Sequence, residues 1–218
     1  MISTEEVKER YLIKAEKNGT NDNIATDNYR FCLNFNESQN KFLTLQLQNR
    51  GIDDVRYIQN FLVLDKKIPP LNTSEDKVNF KLPENYFDLS SARAKAKTES
   101  CSDLIDLFEI QTENLNEIMF NEFLKPSFAW REAPYTVNSN NLSIYTDNFK
   151  IENLLLNYYR YPNQIKLVDS ENPESEFEKI QIEWDDKSLD DIISLMVFNF
   201  DINESNPRYQ LQTLRIQK

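Results

Sequence analysis

The apolar residues of this sequence change their spacing along the chain, and this change limits the possible folds more than any other feature. Before about residue 60 and after residue 188, apolar positions recur every three or four residues, as in amphipathic helices. In much of the stretch between them, apolar and polar residues alternate, as in half-buried strands. The sequence therefore predicts an α+β protein, with an antiparallel β domain flanked by N-terminal helices and a packed C-terminal helix.

Four helices are predicted from local signals outside the alternating region. The first begins at a capping box formed by Ser3 and Glu6, and the second runs from about Asp27 to Gly51. A third, shorter helix is predicted from Asp53 to the Pro69-Pro70 break, and the last follows Ser188. Their apolar stripes are Val7, Tyr11 and Ala15; Phe31, Phe35, Phe42 and Leu45; Ile52, Val55, Ile58 and Leu62; and Leu189, Ile192, Ile193, Met196, Val197 and Phe200.

The alternating region predicts several strands and one short helix. The helix begins at Thr112, which is predicted to cap it, and ends before Pro126. Alanines 92, 94 and 96 leave one strand ambiguous with helix. The predicted strands cover residues 78–82, 87–101, 104–110, 142–145, 151–161 and 180–184, with an exposed acidic loop at 169–178.

The predicted elements fall into two regions. Residues 1–70 form an N-terminal helical region, and residues 71–218 form a β-rich domain that includes the C-terminal helix. A chain of 218 residues with 39% hydrophobic residues is long enough to bury one core, so the two regions are expected to pack as one compact unit.

Several classes of enzyme are excluded by residues that the sequence lacks. There is no histidine, which removes Ser-His and Cys-His relays and histidine-ligated zinc. The chain has two glycines and no glycine-rich phosphate loop. Cys32 and Cys101 form no CxxC motif and are expected to be buried free thiols. We therefore expect a non-enzymatic protein and assign no catalytic, cofactor-binding or metal-ligating residue.

The formal net charge of -11 opposes nonspecific binding to nucleic acid or anionic membranes. The segment 169–204 carries most of this charge, with twelve Asp and Glu against two lysines, a net of -10. Arg93, Lys95 and Lys97 alternate in a locally basic stretch, which is expected to be a solvated edge or a contact with an acidic neighbour. With no leader and no apolar run long enough to span a bilayer, the chain is expected to be cytosolic when made.

Four groups of residues are candidates for binding. Four aspartates lie near one helix start: Asp185, Asp186, Asp190 and Asp191. They either chelate a divalent cation or stabilise the helix through its dipole. The tract Asp201 to Gln212 begins like a calcium loop but lacks its glycine and its final Glu. Trp130 with Arg131 is either an interface anchor or, for the tryptophan, a core residue. The aromatic candidates for a stacking platform are Tyr135, Tyr145, Tyr158, Tyr159 and Tyr161.

The order of five short segments is more specific than any single motif. These are Phe80-Lys-Leu-Pro-Glu-Asn-Tyr86, Trp130-Arg-Glu-Ala-Pro-Tyr135, Leu142-Ser-Ile-Tyr145, Leu156-Asn-Tyr-Tyr-Arg-Tyr-Pro162 and Asp190-Asp-Ile-Ile193. In this order they resemble the ring-forming head-to-tail connector proteins of crAss-like, short-tailed bacteriophages. The resemblance covers roughly residues 27 to 205, and its motifs are loose, mainly "LP-x-x-Y" and "Y-x-x-P" with their spacing.

The resemblance implies a virion structural protein without a catalytic motif. Similar adaptor proteins form a twelvefold ring below the portal, so the implied partners are other copies of this chain, the portal protein and adjacent tail or ring proteins. DNA passes through the channel of such a ring without sequence-specific binding, and no membrane is involved. An acidic chain fits a channel that lets DNA slide, but it fits equally a surface that faces solvent or a basic partner.

Two other functions stay open at this point. The first is a carboxylate-dependent metal enzyme of the nuclease type, which would act through Asp185, Asp186, Asp190 and Asp191. The second is an accessory protein that binds one host partner and has no place in the virion.

Overall fold

The computed structural model describes residues 2–17, 27–48 and 54–201, with the backbone alone for 54–56 and 199–201. These residues form an α+β protein with helices before and after a largely antiparallel sheet, which confirms the predicted fold class. None of the described helices is long and apolar enough to cross a membrane.

The helices and strands have the following bounds. The α-helices are α1 (Thr4–Lys17), α2 (Asn28–Gln48), α3 (Leu115–Phe120) and α4 (Asp186–Asp201), and 3-10 helices occupy Asp54–Phe61 and Thr112–Asn114. The strands are β1 (Leu62–Ile68), β2 (Asn72–Thr73), β3 (Lys77–Lys81), β4 (Tyr86–Lys97), β5 (Ser102–Glu109), β6 (Glu132–Asn138), β7 (Asn141–Tyr145) and β8 (Lys150–Arg160).

The chain divides into two compact units that differ from the regions predicted from sequence. One unit combines Met1–Asn60 with Pro162–Lys218, and the other is Phe61–Tyr161. The C-terminal helix α4 packs against α1 and α2, because its apolar stripe meets theirs, and so it belongs with the N-terminal helices. Strand β1, which the sequence placed in the helical region, belongs with the sheet because it pairs with β8.

Within the helical unit, α1 and α2 begin where the sequence predicts. The Ser3 hydroxyl accepts a hydrogen bond from the Glu6 amide at 3.2 Å, and the Asp27 carboxylate accepts one from the Arg30 amide at 2.6 Å. Both bonds satisfy amides that have no partner within the helix. The predicted stripe of α1 is buried, and so are Phe31, Phe35 and Phe42 of the predicted α2 stripe. Leu45, the fourth residue of that stripe, is only half-buried, whereas the neighbouring Leu43 and Leu47 are buried.

The sheet unit contains one eight-stranded sheet in the order β1-β8-β4-β5-β6-β7-β3-β2. All neighbouring strands are antiparallel except β5 and β6, which are parallel. Parallel neighbours need a crossover connection rather than a tight turn. Residues 110–131 make that crossover, and they include α3.

One face of this sheet forms the core of the unit. On β4 the buried alanines 92, 94 and 96 alternate with Arg93, Lys95 and Lys97, which settles the ambiguous stretch as a strand. On β8 the core face carries Leu154, Leu156 and Tyr158. A single cluster joins the apolar residues of β3, β4, β5, β6, β7 and β8, so the sheet curls around its own apolar face.

The basic stretch Arg93, Lys95 and Lys97 lies on the opposite face of β4, which is an inner strand and not an edge. Arg93 pairs there with Asp65, and Lys95 pairs with Glu152.

Three predicted elements are wrong in type or extent. The helix from Asp53 to Pro69 is a 3-10 helix followed by β1, because pairing of Leu62–Ile68 with β8 overrides the local helical spacing. The predicted strand 180–184 forms no ladder in the described chain, although Trp184 is buried. The helix predicted from Thr112 to Pro126 starts as a 3-10 turn without a side-chain cap and ends at Phe120.

Candidate protein interaction surface

Four large apolar side chains in the β5–β6 crossover are exposed. We call Phe120, Phe123, Leu124 and Trp130 the aromatic patch; their exposed fractions are 88%, 75%, 48% and 57%. Single exposed apolar residues are ordinary, but several in one short segment are typical of a surface that contacts another protein. The patch is therefore the candidate functional site.

Backbone hydrogen bonds fix the first half of this segment. Asn121 leaves the helical conformation and ends α3, and its side-chain oxygen accepts a hydrogen bond from the Phe123 amide at 2.9 Å. Its backbone carbonyl accepts bonds from the amides of Leu124 and Lys125, at 3.1 and 2.9 Å. This turn holds Phe123 and Leu124 in place without burying their side chains.

A tight turn fixes the second half and presents Trp130. The backbone groups of Ser127 and Glu132 exchange two hydrogen bonds, of 2.9 and 3.1 Å, across the turn. Arg131 adopts a left-handed φ of 59°, which a residue with a side chain adopts only where its surroundings require it. The Trp130 amide donates to the Ser127 hydroxyl at 3.3 Å. Trp130 therefore sits at the tip of an ordered turn.

Three contacts attach the crossover to the sheet. Phe128 packs on Phe149 of the sheet core, with ring centroids 6.1 Å apart. Ion pairs join Lys125 to Asp147 at 3.5 Å and Arg131 to Asp103 at 2.9 Å. Because both ion pairs are partly exposed, each contributes little, and the apolar contact of the half-buried Phe128 contributes more.

The patch is preformed. The rings of Phe123 and Trp130 stack with centroids 6.5 Å apart and planes inclined by 30°. Trp and other aromatic residues are common among the side chains that dominate binding energy. A surface that is ordered before it binds loses less conformational entropy on association.

Four glutamates lie close in sequence to the residues of the patch. Glu113, Glu117, Glu122 and Glu132 are exposed, and none of them has an ion-pair partner among the residues that the structure describes. The two basic residues of the same segment, Lys125 and Arg131, are already paired with carboxylates. The patch thus combines apolar rings with unpaired negative charge.

Only part of this surface was visible in the sequence. Of the two interpretations of Trp130, the structure supports the exposed one. The sequence predicts that Phe123 lies within the short helix from Thr112, and it does not indicate Phe120 or Leu124 as site residues. The available signal was the pair Asn121 and Pro126, which both disfavour a continuous helix. A helix that ends near them is too short to bury Phe120, Phe123 and Leu124 together.

The tyrosines do not form an exposed platform. Tyr135, Tyr145, Tyr158 and Tyr159 are all less than 9% exposed, and Tyr161, at 39%, packs edge-on against Phe87. Tyr135 on β6 and Tyr158 on β8 belong to the core of the sheet unit. Tyr145 lies on the opposite face of β7 from the core residues Leu142 and Ile144, and its hydroxyl is 3.3 Å from that of Thr136.

Two of the tyrosines lie in an environment that keeps them protonated. Burial, with the negative charges of Asp88 and Glu109, raises the pKa of Tyr86 to about 12. The same causes, burial first, raise the pKa of Tyr135 well above its ordinary range. Both shifts favour the neutral phenol.

The acidic residues at the start of α4 have structural partners. Asp185 caps the helix: its carboxylate accepts bonds from the Ser188 amide at 2.9 Å and the Ser188 hydroxyl at 3.1 Å. The sequence predicted Ser188 as the cap, but the capping residue is Asp185. Asp186 pairs with Arg10 and Asp190 with Lys14, each at 2.9 Å.

Within the described ranges, no three His, Cys, Asp or Glu side chains converge as a metal site would require. The calcium-like tract from Asp201 lies almost wholly outside those ranges.

One of the two cysteines differs from its predicted environment. Cys32 is buried, as expected, and burial raises the pKa of its thiol to about 11. Cys101 is exposed, because it lies in the turn between β4 and β5.

No protein-family model matches the sequence, and a search of curated proteins gives no significant match.

Proposed function

We propose that this protein is a non-enzymatic virion structural protein that forms the head-to-tail connector ring of a short-tailed bacteriophage, between the portal and the tail. The observation that carries the proposal is the aromatic patch, which is exposed, ordered and attached to the sheet. A surface of this kind fits a protein whose work is to contact other proteins.

The sequence resemblance supports the same proposal. The first three of its five segments cover the end of β3 and the connection to β4, the turn into β6 with the first half of that strand, and β7. In the sheet, β6, β7 and β3 are consecutive neighbours. The second of these segments, which begins at Trp130, also contributes to the aromatic patch.

A closed ring needs contacts of one particular kind. Each copy must present two different surfaces, so that the first surface of one copy meets the second surface of the next. The aromatic patch would supply the first surface. In such a ring the partners are other copies of this chain, the portal protein and the adjacent tail or ring proteins, and DNA passes through the channel without sequence-specific contacts.

The mass of the assembled protein tests this proposal. The purified protein is measured alone and mixed with the portal protein of the same phage, together with two variants. Phe123→Ser removes a ring of the patch, and Leu71→Ser is the matched control, because Leu71 is a 60% exposed leucine of the same unit outside the patch. We expect rings, alone or on the portal, from the wild type and from Leu71→Ser, but not from Phe123→Ser.

A protein that stays monomeric under both conditions would contradict the proposal. Particle composition gives an independent measure of the same point. Presence in purified virions at a stoichiometry near that of the portal supports a connector, whereas absence favours a non-virion accessory role.

A further inference from the structure

We propose that residues 205–218 of one copy bind the aromatic patch of the neighbouring copy. This inference rests on the proposed function, because it names the second surface that a connector ring requires. We call residues 205–218 the basic segment.

The first reason is that the patch has an apolar surface without a cover. Within the parts of the chain that the structure describes, Phe120 stays 88% exposed and Phe123 stays 75% exposed. The turns at Asn121 and Ser127 fix their backbone, so these rings do not withdraw into the core by a simple rotation of the segment. An added peptide can bury them without rearranging the crossover.

The second reason is the composition of the basic segment. It carries Arg208, Arg215 and Lys218 and no acidic residue. The rest of the chain has 22 basic against 36 acidic residues, a net of -14, so these are unusual charges for this protein. The apolar residues of the segment are Tyr209, Leu211, Leu214 and Ile216.

The two surfaces complement one another. The apolar residues of the basic segment match the exposed rings of the patch, and its three positive charges match the unpaired carboxylates of Glu113, Glu117, Glu122 and Glu132. Attraction of this kind increases the rate of association and sets the orientation of the partners. Both surfaces belong to every copy, so a closed ring of such contacts leaves none of them unused.

The length of the segment suits a contact between copies. Fourteen residues reach roughly 46 to 50 Å when fully extended. The described part of α4 ends at Asp201, shortly before the segment begins. A segment of this reach is long enough to extend beyond the copy that carries it.

Two variants of the 218-residue protein separate the two surfaces. The patch variant carries Phe123→Ser and Trp130→Ser, and the segment variant carries Leu211→Ser and Leu214→Ser. A control variant carries Leu71→Ser and Val168→Ser, at positions that are 60% and 67% exposed outside the patch. All are measured alone, and on the portal if the wild type assembles only there. Thermal melting confirms that each variant is folded.

The decisive measurement is a mixture of the patch variant and the segment variant. In the mixture, the intact basic segment of the patch variant can bind the intact patch of the segment variant. The other patch and the other segment of that pair both carry substitutions, so the pair binds no further copy and no ring closes. We expect rings from the wild type and the control, monomers from each variant alone, and dimers from the mixture. Replacing Arg208, Arg215 and Lys218 by Gln should weaken assembly of otherwise wild-type protein and reduce its dependence on salt.

Several outcomes would overturn this inference while leaving the connector proposal intact. Rings from the segment variant would show that another surface occupies the patch. If those rings also lost binding to the portal, the segment would belong to the portal contact. If acrylamide quenched Trp130 more strongly in the segment variant without any change in assembly, the segment would cover the patch of its own copy. Monomeric wild type, both alone and with the portal, would overturn both proposals.

Discussion

The indole Nε1 of Trp184 donates a hydrogen bond of 3.1 Å to the side-chain oxygen of Gln39, and both side chains are buried. The amide nitrogen of the same glutamine donates to Asn36 Oδ1 at 3.1 Å and to the Asn163 carbonyl at 3.2 Å. This buried amide therefore connects α2 to the segment that precedes α4. Its polar atoms are satisfied, which is the condition for burying them at low cost.

Replacing Gln39 by Leu should destabilise the protein by about 1 to 3 kcal/mol, because the indole N–H then lacks its partner in the core. Urea unfolding of Gln39→Leu, Trp184→Phe and the double variant measures the effect. We expect the loss from Gln39→Leu to be smaller in the Trp184→Phe background, by about 1 kcal/mol. Strictly additive losses would show that the two side chains do not interact.

The cap of α4 gives a second prediction. Asp185→Ala should lower the free energy of unfolding by about 1 kcal/mol, because two hydrogen bonds to Ser188 are lost at the helix start. Asp190→Ala, which breaks a pair with Lys14 whose carboxylate is 69% exposed, should cost less than about 0.5 kcal/mol. Thermal melting with and without millimolar Mg²⁺ tests the metal interpretation of the same residues. A rise in melting temperature that disappears in Asp185→Ala would favour a cation site over a cap.

The buried tyrosines predict a loss of stability at alkaline pH. Below pH 10 the phenols are protonated in both the folded and the unfolded chain. Between pH 10 and about 12 the unfolded chain releases the proton of Tyr86 while the folded chain retains it, so stability falls as pH rises. We expect Tyr86→Phe and Tyr135→Phe to flatten this fall, and Tyr29→Phe, an exposed tyrosine of the helical unit, to leave it unchanged. Denaturant midpoints across this pH range measure the slope, and equal slopes in all variants would contradict the assignment.

The two thiols should react at very different rates. Cys101 is exposed, whereas burial raises the pKa of Cys32 to about 11 and leaves little thiolate at neutral pH. A chromogenic disulfide reagent should titrate one thiol rapidly in the native protein and the second only on unfolding. Cys101→Ser should abolish the rapid phase. Rapid labelling that persists in that variant would show that Cys32 is accessible.

The elements that the sequence predicted correctly are specified by neighbours in the sequence. The capping box at Ser3 and the aromatic stripe of α2 depend on residues three or four positions apart, and the alternation of β8 depends on residues two apart. Strand β1 was missed because its pairing, as between Leu62 and Tyr159, joins distant parts of the chain. Such pairing overrides a local helical pattern and leaves no local signal.

The aromatic patch was harder to predict for a related reason. Phe120 and Phe123 are residues of the type that usually fills a core. The local signal, Asn121 with Pro126, indicates a short helix but does not show which of these rings is exposed. Their exposure follows from the parallel pairing of β5 with β6, which requires a long crossover outside the ladder. Trp130 was recognised as a candidate only because Arg131 follows it.

The pairing of Leu62 with Tyr159 has a consequence for how such a chain can vary. It places the first and last strands of the 61–161 unit side by side, so the chain enters and leaves this unit at nearly the same place. The sheet is thus an insertion within the sequence of the helical unit, and its exit needs only a short connection back. Recombination can exchange such a stretch as a cassette, which allows the surface that the sheet presents to diverge while the helices are inherited unchanged.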